Sequence, residues 1–401
     1  MRVEHELLLL CARTEVDEQT RQRIIALTSS PAEIDWDYFY RLTRRHSVLP
    51  LIYWQLSNLN SVNVPAAELG RLKKNYQNNT ARNLLLSAEL CKILQLLQSA
   101  GVEAVPYKGP ALAVYAYGNL ALRRFVDIDM LVRKDDVLQA LEILEGAGFV
   151  CTAPWTSAQR SLLLRTQHNL SMSRESGLLV VELHWEVASR LFARSLQAEE
   201  FWGRLGSMRV NNLEVKCLAV EDLLLSLCVH GSKHLWERLA WICDLAELVR
   251  TRKEINWDAL LARAISAGSK RMLLLGLYLA NSLLDAPLPA QIEERLKADP
   301  MVARLAREAS QRLFVSPDGV AITILESFSF NWAVRTDLRS KLRYCRLLLQ
   351  PTDADIETRP LPPSLTFIYY LKRPFALLRR DRERRHASGS ANENNRSSNR
   401  T

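Results

Sequence analysis

The sequence predicts an α+β protein, a small mixed β-sheet core flanked by N-terminal and C-terminal helical regions. Three observations predict it. Leu and Ala dominate while Gly (14) and Pro (15) are sparse, a composition that favours helix. Apolar residues recur at helical spacing before residue 100 and again after 220. Between these stretches the spacing changes to short β-type runs alternating with helices, the signature of one α/β unit.

The elements follow in order. "DWDYFYRLTRRHSVLPLIYWQLSN" (35–58) has helical spacing, with Pro50 marking a break or a start. "NTARNLLLSAELCKILQLLQSAG" (79–101) is the clearest helix, with an apolar face of Leu84, Leu85, Ala88, Cys91, Leu94, Leu96 and Leu97 and Gly101 as its stop. "VEAVPYKG" (102–109) reads as a strand ending in Gly, and "ALAVYAYGN" (111–119) as a helix closed near Gly118. "FVDIDMLV" (125–132) alternates strictly, with Phe125, Asp127, Asp129 and Leu131 on one side. "DDVLQALEILEGAGF" (135–149) is an amphipathic helix with an Asp N-cap, and "HNLSMSRESGLLVVELHWEV" (168–187) is two strands around a Gly turn. Residues 220–250 and 260–284 are helical, with weaker helices to about 350. The expected regions are an N-terminal helical region (1–78), the α/β core (79–217), a helical domain (218–350), a C-terminal segment (351–378) and a disordered basic tail (379–401).

Composition narrows the setting. The chain has 401 residues and a formal charge of +9, of which the last 23 residues hold seven Arg against three acids, a net +4. That tail could attract RNA or anionic lipid, although a solubilising terminus is the plainer reading. Seven cysteines without a CxxC pair point to reduced thiols in a cytoplasmic protein. No run is long and apolar enough to span a membrane; "SLTFIYYLKRPFALLRR" (364–380) permits peripheral membrane contact but reads better as a packed segment.

The chemistry lies in the acids. On a strand, Asp127 and Asp129 project to the same face, where they repel unless a cation lies between them. Mg²⁺ (or Mn²⁺) suits such oxygen ligands. In "VVELHW", Glu182 and His184 likewise share a face, so Glu182 completes a three-carboxylate cluster if the two strands are neighbours. Lys108 and Gly109 end the preceding strand where a phosphate could approach backbone N–H groups, and Arg123 and Arg124 could hold further phosphate oxygens. His230 and His234 lie one helical turn apart, but Gly231 stands where a zinc-protease Glu would be, so a core or substrate-facing pair is the better reading. Asp244 either orients one of these histidines or pairs with Arg238.

Lys108-Gly109, Arg123 four residues before Asp127-x-Asp129, Gly148-Phe149 and Glu182-Leu183-His184-Trp185 together resemble the uncharacterised bacterial nucleotidyltransferases of the DNA-polymerase-β-like superfamily. "HGSKHLWERLAWICDLAEL", with His230, His234, Arg238, Trp241 and Asp244, adds to the resemblance, which runs from about residue 80 to about 290. It implies transfer of a nucleoside monophosphate from an NTP to an acceptor hydroxyl. Asp127, Asp129 and Glu182 would hold two metal ions, Lys108, Gly109, Arg123 and Arg124 the nucleotide, and His184, His230, His234 and Asp244 the acceptor pocket. The acceptor could be a protein, a sugar, RNA or a small molecule. Pro110 stands where the wider superfamily has Ser or Gly, and the gap from Gly109 to Asp127 is longer than usual. The alternative is therefore a catalytically inactive nucleotide- or partner-binding protein with the same fold.

Overall fold

A computed structural model describes residues 2–30, 33–59, 61–151, 160, 164–189, 192, 198–316, 322–350, 365, 367–373, 375–377 and 379. The basic tail beyond 379 lies outside the described residues, and with it the expectation of disorder there.

Five helices open the chain: α1 (Val3–Cys11), α2 (Glu18–Thr28), α3 (Trp36–Arg45), α4 (Leu49–Asn58) and α5 (Ala66–Ser99). The α/β stretch runs β1 (Ala104–Pro106), α6 (Gly109–Tyr117), β2 (Ile128–Val132), α7 (Val137–Gly146), β3 (Val150–Cys151), β4 (Asn169–Arg174) and β5 (Leu179–His184). A short helix, α8 (Ala198–Trp202), and a hairpin, β6 (Gly206–Val210) with β7 (Leu213–Cys217), follow. Helices α9 (Val220–Lys233), α10 (Leu239–Thr251), α11 (Trp257–Ser266), α12 (Lys270–Leu284), α13 (Ala290–Ala298), α14 (Pro300–Leu313), α15 (Ile324–Ala333) and α16 (Leu338–Leu348) complete the described architecture. This is a mixed sheet between helical regions, as expected.

The sheet order is β1-β2-β5-β4-β3, with β2 and β5 parallel and every other pair antiparallel. Strand periodicity sorts the side chains. Ile128, Met130 and Val132 of β2, with Val181 and Leu183 of β5, enter an apolar cluster shared with α5 and α7. Asp129 and Leu131, with Glu182 and His184, therefore take the opposite face, which looks toward the helices that form the second cluster. That second cluster joins α1–α4 to α9, α10, α12 and α14. Helix α12 is its centre: Met272, Leu273, Leu274, Leu275, Leu277 and Leu279 are all buried, the pattern of a helix surrounded by other helices.

Several elements differ from the sequence reading. Helix α5 is 34 residues long and continuous through residue 78. Its buried face is Leu86, Leu90, Ile93, Leu94 and Leu97, whereas Leu84, Leu85 and Leu96 are exposed, so the expected face was rotated. The expected stop at Gly101 is present: Gly101 adopts φ +79, and Val102 N–H returns to Leu97 O at 2.9 Å. Asp136 occupies the N-cap of α7, but its side chain makes no capping hydrogen bond. The β6–β7 hairpin, turning at Asn211 with φ +51, was missed, although "SMRVNNLEVK" carries a turn dipeptide between alternating residues. In the C-terminal segment Tyr369 and Arg373 are buried, while Phe367, Leu371 and Phe375 are exposed, so it packs through one face only. All seven cysteines are unpaired thiols.

Candidate active site

The parallel register of β2 and β5 sets Asp129 directly beside Glu182. His184, two residues further along β5, turns Nε2 toward both carboxylates, 3.2 Å from Asp129 Oδ1 and 3.2 Å from Glu182 Oε2. One ligand atom each from Asp129, Glu182 and His184 lies within 4.8 Å of the others. Asn169, on the neighbouring strand β4, donates to Glu182 Oε2 at 3.2 Å, and Lys108 Nζ donates to Asp129 Oδ1 at 3.3 Å. Burial pushes the Asp129 carboxyl up, but Lys108 and His184 outweigh it and hold it well below the carboxylate range. The hydrogen bond from His184 lowers Glu182 in the same way. Burial works against the charged form of His184, yet its two carboxylate partners hold it above its ordinary value.

Asp127 sits one residue ahead of β2, not within it. The irregular stretch from Gly118 to Asp127 is held instead by α5. Asn79 Nδ2 donates to the carbonyls of Ala121 and Arg123, Asn83 Nδ2 to those of Leu120 and Arg123, and Arg82 to that of Val126. These side chains satisfy carbonyls that no ladder reaches, which lets the loop carry Arg123, Arg124 and Asp127 into the cavity. Burial, Asp129 and Glu182 push the Asp127 carboxyl up to about 6.

The Lys108–Gly109 turn starts α6, with Pro110 in its first turn, where a missing N–H leaves no helical bond unmade. Gly109 is required twice over. It adopts φ +52, and a Cβ built there would come 2.7 Å from the Asp127 carbonyl oxygen. The turn and the Asp127 loop are thus pressed together, and Gly109 places Lys108 over Asp129.

Opposite the sheet, helices supply a second wall. Arg44, Arg45, Ser47, Arg123, Arg124, His230, His234, Glu237, Arg238 and Trp241 line one cavity of about 850 Å³ together with Lys108, Asp127, Asp129 and Glu182. Arg123 reaches Asp244 with two donors, Nε at 2.8 Å and Nη2 at 3.0 Å, and Tyr117 Oη donates to the same carboxylate at 2.7 Å. Asp244 is therefore a partner of Arg123, not of Arg238 or a histidine, and it anchors the loop to α10. The rings of His230 and His234 lie 4.7 Å apart and both contact Trp241. Burial, followed by neighbouring cations, holds His230 well below its ordinary value and pushes His234 down to about 4, so both are neutral. The chain reaches this wall from α9 through Leu235 and Trp236, both at φ +55, a strained pair locked by Trp236 packing on Gly231 and Gly276.

Sequence reasoning missed Arg44, Arg45, Ser47 and Glu237, and the anchoring side chains Asn79, Asn83 and Asn169. A basic pair ending a helix, "RR" at 44–45, was the one visible signal.

The donor set fits a divalent cation. Asp129, Glu182 and His184 supply the close-set donor atoms, Asp127 bears on them electrostatically, and the ammonium groups of Lys108 and Lys233 bear on Asp129 and Glu182. Two buried polar atoms beside the cluster, Tyr107 Oη and His184 Nδ1, have no hydrogen-bond partner among the described residues. Oxygen donors with one imidazole suit Mg²⁺ or Mn²⁺, with Mn²⁺ the better match for the nitrogen.

No curated protein matches the chain. A family model described as uncharacterised nucleotidyltransferase matches residues 32–285, more than half of its length. The match begins earlier than the resemblance implied, taking in α3 and α4, and it spans every residue of both cavity walls. The chain belongs to this uncharacterised nucleotidyltransferase family.

Proposed function

We propose that the protein transfers a nucleoside monophosphate from an NTP to an acceptor hydroxyl, with pyrophosphate as the leaving group. The observation that carries the reading is the convergence of Asp129, Glu182 and His184 within 4.8 Å on the wall of a cavity large enough for a nucleotide. Asp127, Asp129 and Glu182 would hold Mg²⁺ or Mn²⁺, with His184 as a further ligand. Such ions, when bound, activate the attacking hydroxyl and stabilise the leaving oxygen.

The chain's own groups do the rest. Lys108 and the amides of the Gly109 turn face the phosphates. Arg123, tied to Asp244, supports the loop and keeps one terminal nitrogen for a phosphate oxygen. Glu182 takes the proton of the acceptor hydroxyl as its oxygen bonds to the α-phosphorus and the bond to the β-phosphate breaks. The neutral His230–His234–Trp241 surface gives the acceptor an uncharged, aromatic contact.

Pro110 supports the second reading, a nucleotide binder without turnover, since it removes an amide donor and a hydroxyl from the phosphate turn. One assay separates the two. With each of the four NTPs, Mn²⁺ and a cell extract as acceptor source, an enzyme releases pyrophosphate and labels a product. The Asp127→Ala, Asp129→Ala double variant should do neither and should lose metal-dependent thermal stabilisation by NTP. If that stabilisation is unchanged in the double variant, the carboxylates are not the metal site and the reading fails.

A further inference from the structure

The cations of the cavity fall into two separate groups. Lys108 and Arg123 are matched to Asp129 and Asp244 and act on the carboxylates. Arg44 from the last turn of α3, Arg124 from the loop before β2, and Arg238 from the turn before α10 line the same cavity, and none has an ion-pair partner among the described residues. One acid, Glu237, lines the cavity beside them, against three arginines. Two of the three lie near aromatic rings, Arg44 at 6.0 Å from Tyr40 and Arg238 at 5.8 Å from Trp241, at the outer edge of cation–π range. A contact with a ring leaves a guanidinium's N–H donors free.

Three unmatched arginines brought together from distant parts of the chain repel one another unless an anion joins them. Burial, then Arg44, Arg238 and Arg82, depress the Arg124 guanidinium below its usual range. We propose that Arg44, Arg124 and Arg238 form a phosphate-binding subsite for the acceptor, separate from the Lys108–Gly109 turn, so that the substrate receiving the nucleotidyl group itself carries a phosphate. The word acceptor rests on the nucleotidyl-transfer reading; the subsite does not. Guanidinium forks match phosphate oxygens in pairs, and three of them suit a doubly charged phosphate better than a single carboxylate. The family match begins at residue 32 and so takes in Arg44.

The test uses the full chain and inorganic phosphate at constant ionic strength, read as thermal stabilisation. In chelator, phosphate should raise the melting temperature of the wild type. The Arg44→Gln, Arg238→Gln double variant should need at least about tenfold more phosphate for the same effect, as expected for two lost charged hydrogen bonds. Arg124→Gln alone should weaken the response in the same direction, which guards against a folding defect in the double variant. With Mn²⁺ and a non-hydrolysable NTP analogue saturating the chain, phosphate should still stabilise it further. A wild-type response in the double variant overturns the subsite. Loss of the phosphate effect once the analogue is bound overturns the acceptor assignment, because the arginines would then be holding the donor's phosphates. Failure of the analogue to bind counts against nucleotidyl transfer, while the chelator experiment still decides the subsite.

Discussion

The two walls of the cavity are built on opposite electrostatic plans. On the sheet wall the charges carried by the strands are tied together, Lys108 with Asp129, His184 with Asp129 and Glu182, Asn169 with Glu182, while Asp127 lies ahead of the strand. On the helical wall Arg44, Arg124 and Arg238 stand without ion-pair partners among the described residues, beside two neutral histidines. A matched network of buried charge fixes geometry but depends on each member. Unmatched charges near solvent contribute little to the fold and remain available to a ligand. The sheet wall is thus suited to chemistry and the helical wall to recognition.

The largest expected effect breaks the matched wall. Asp129→Ala leaves Lys108 and His184 facing each other without their shared acceptor. We expect a loss of about 3 kcal/mol in urea unfolding, since removing one partner strands the others. Nucleotidyl transfer should fall at least about a hundredfold. Arg124→Gln on the other wall should leave stability within about 0.5 kcal/mol. Equal destabilisation by the two variants would erase the distinction.

The same contrast explains what the sequence disclosed. The sheet wall was legible because a strand repeats every two residues, so "DID" and "ELH" announce their shared faces without knowledge of the rest of the chain. Their adjacency was conditional on strand order, and the parallel β2–β5 pairing supplies it. The helical wall was legible only in part: His230, His234, Arg238 and Trp241 came from the family resemblance, and Arg44 did not. Arg44 and Arg238 lie nearly 200 positions apart in sequence, and no local period reports a contact of that range. Helix α5 failed in another way: it is long and rich in Leu on several sides, so its phase was ambiguous, and Leu86, Leu90 and Ile93 face inward where Leu84 and Leu85 had been expected. Its Asn79 and Asn83 looked like ordinary surface residues until the loop carbonyls they bind were placed beside them.

Two glycines give effects of intermediate size, one on each wall. A Cβ at Gly109 meets the backbone oxygen of Asp127 at 2.7 Å in a left-handed conformation, so Gly109→Ala should shift the turn and the Asp127 loop together. A Cβ at Gly231 meets the Trp236 ring at 2.4 Å, and overpacking there should cost about 1–3 kcal/mol. The discriminating measurement is metal-dependent NTP binding at a temperature where both variants are folded. Gly109→Ala should lose it, and Gly231→Ala should retain it. Retention by Gly109→Ala would mean that the turn does not position the nucleotide.

The smallest effect is a pH dependence that belongs to the helical side. His46 is fully buried where α3 meets α10 and α14: Leu239 N–H donates to its Nδ1 at 3.2 Å, which leaves Nε2–H to donate to Leu313 O at 3.0 Å. The bond to Nδ1 requires the neutral ring. Burial, reinforced by Arg45, pushes it down to about 3, well below the value of an unfolded histidine near 6.5. Between these limits the unfolded chain binds the proton and the folded one does not, so stability falls as pH falls. The slope from this group is at most ~1.4 kcal/mol per pH unit, starting below about 6.5. Urea midpoints measured in chelator at pH 7, 6 and 5 should therefore decrease, and His46→Gln, less stable at pH 7, should show a shallower decline. A variant whose decline parallels the wild type would move the titration away from this junction to the other depressed histidines, His5, His168, His230 and His234.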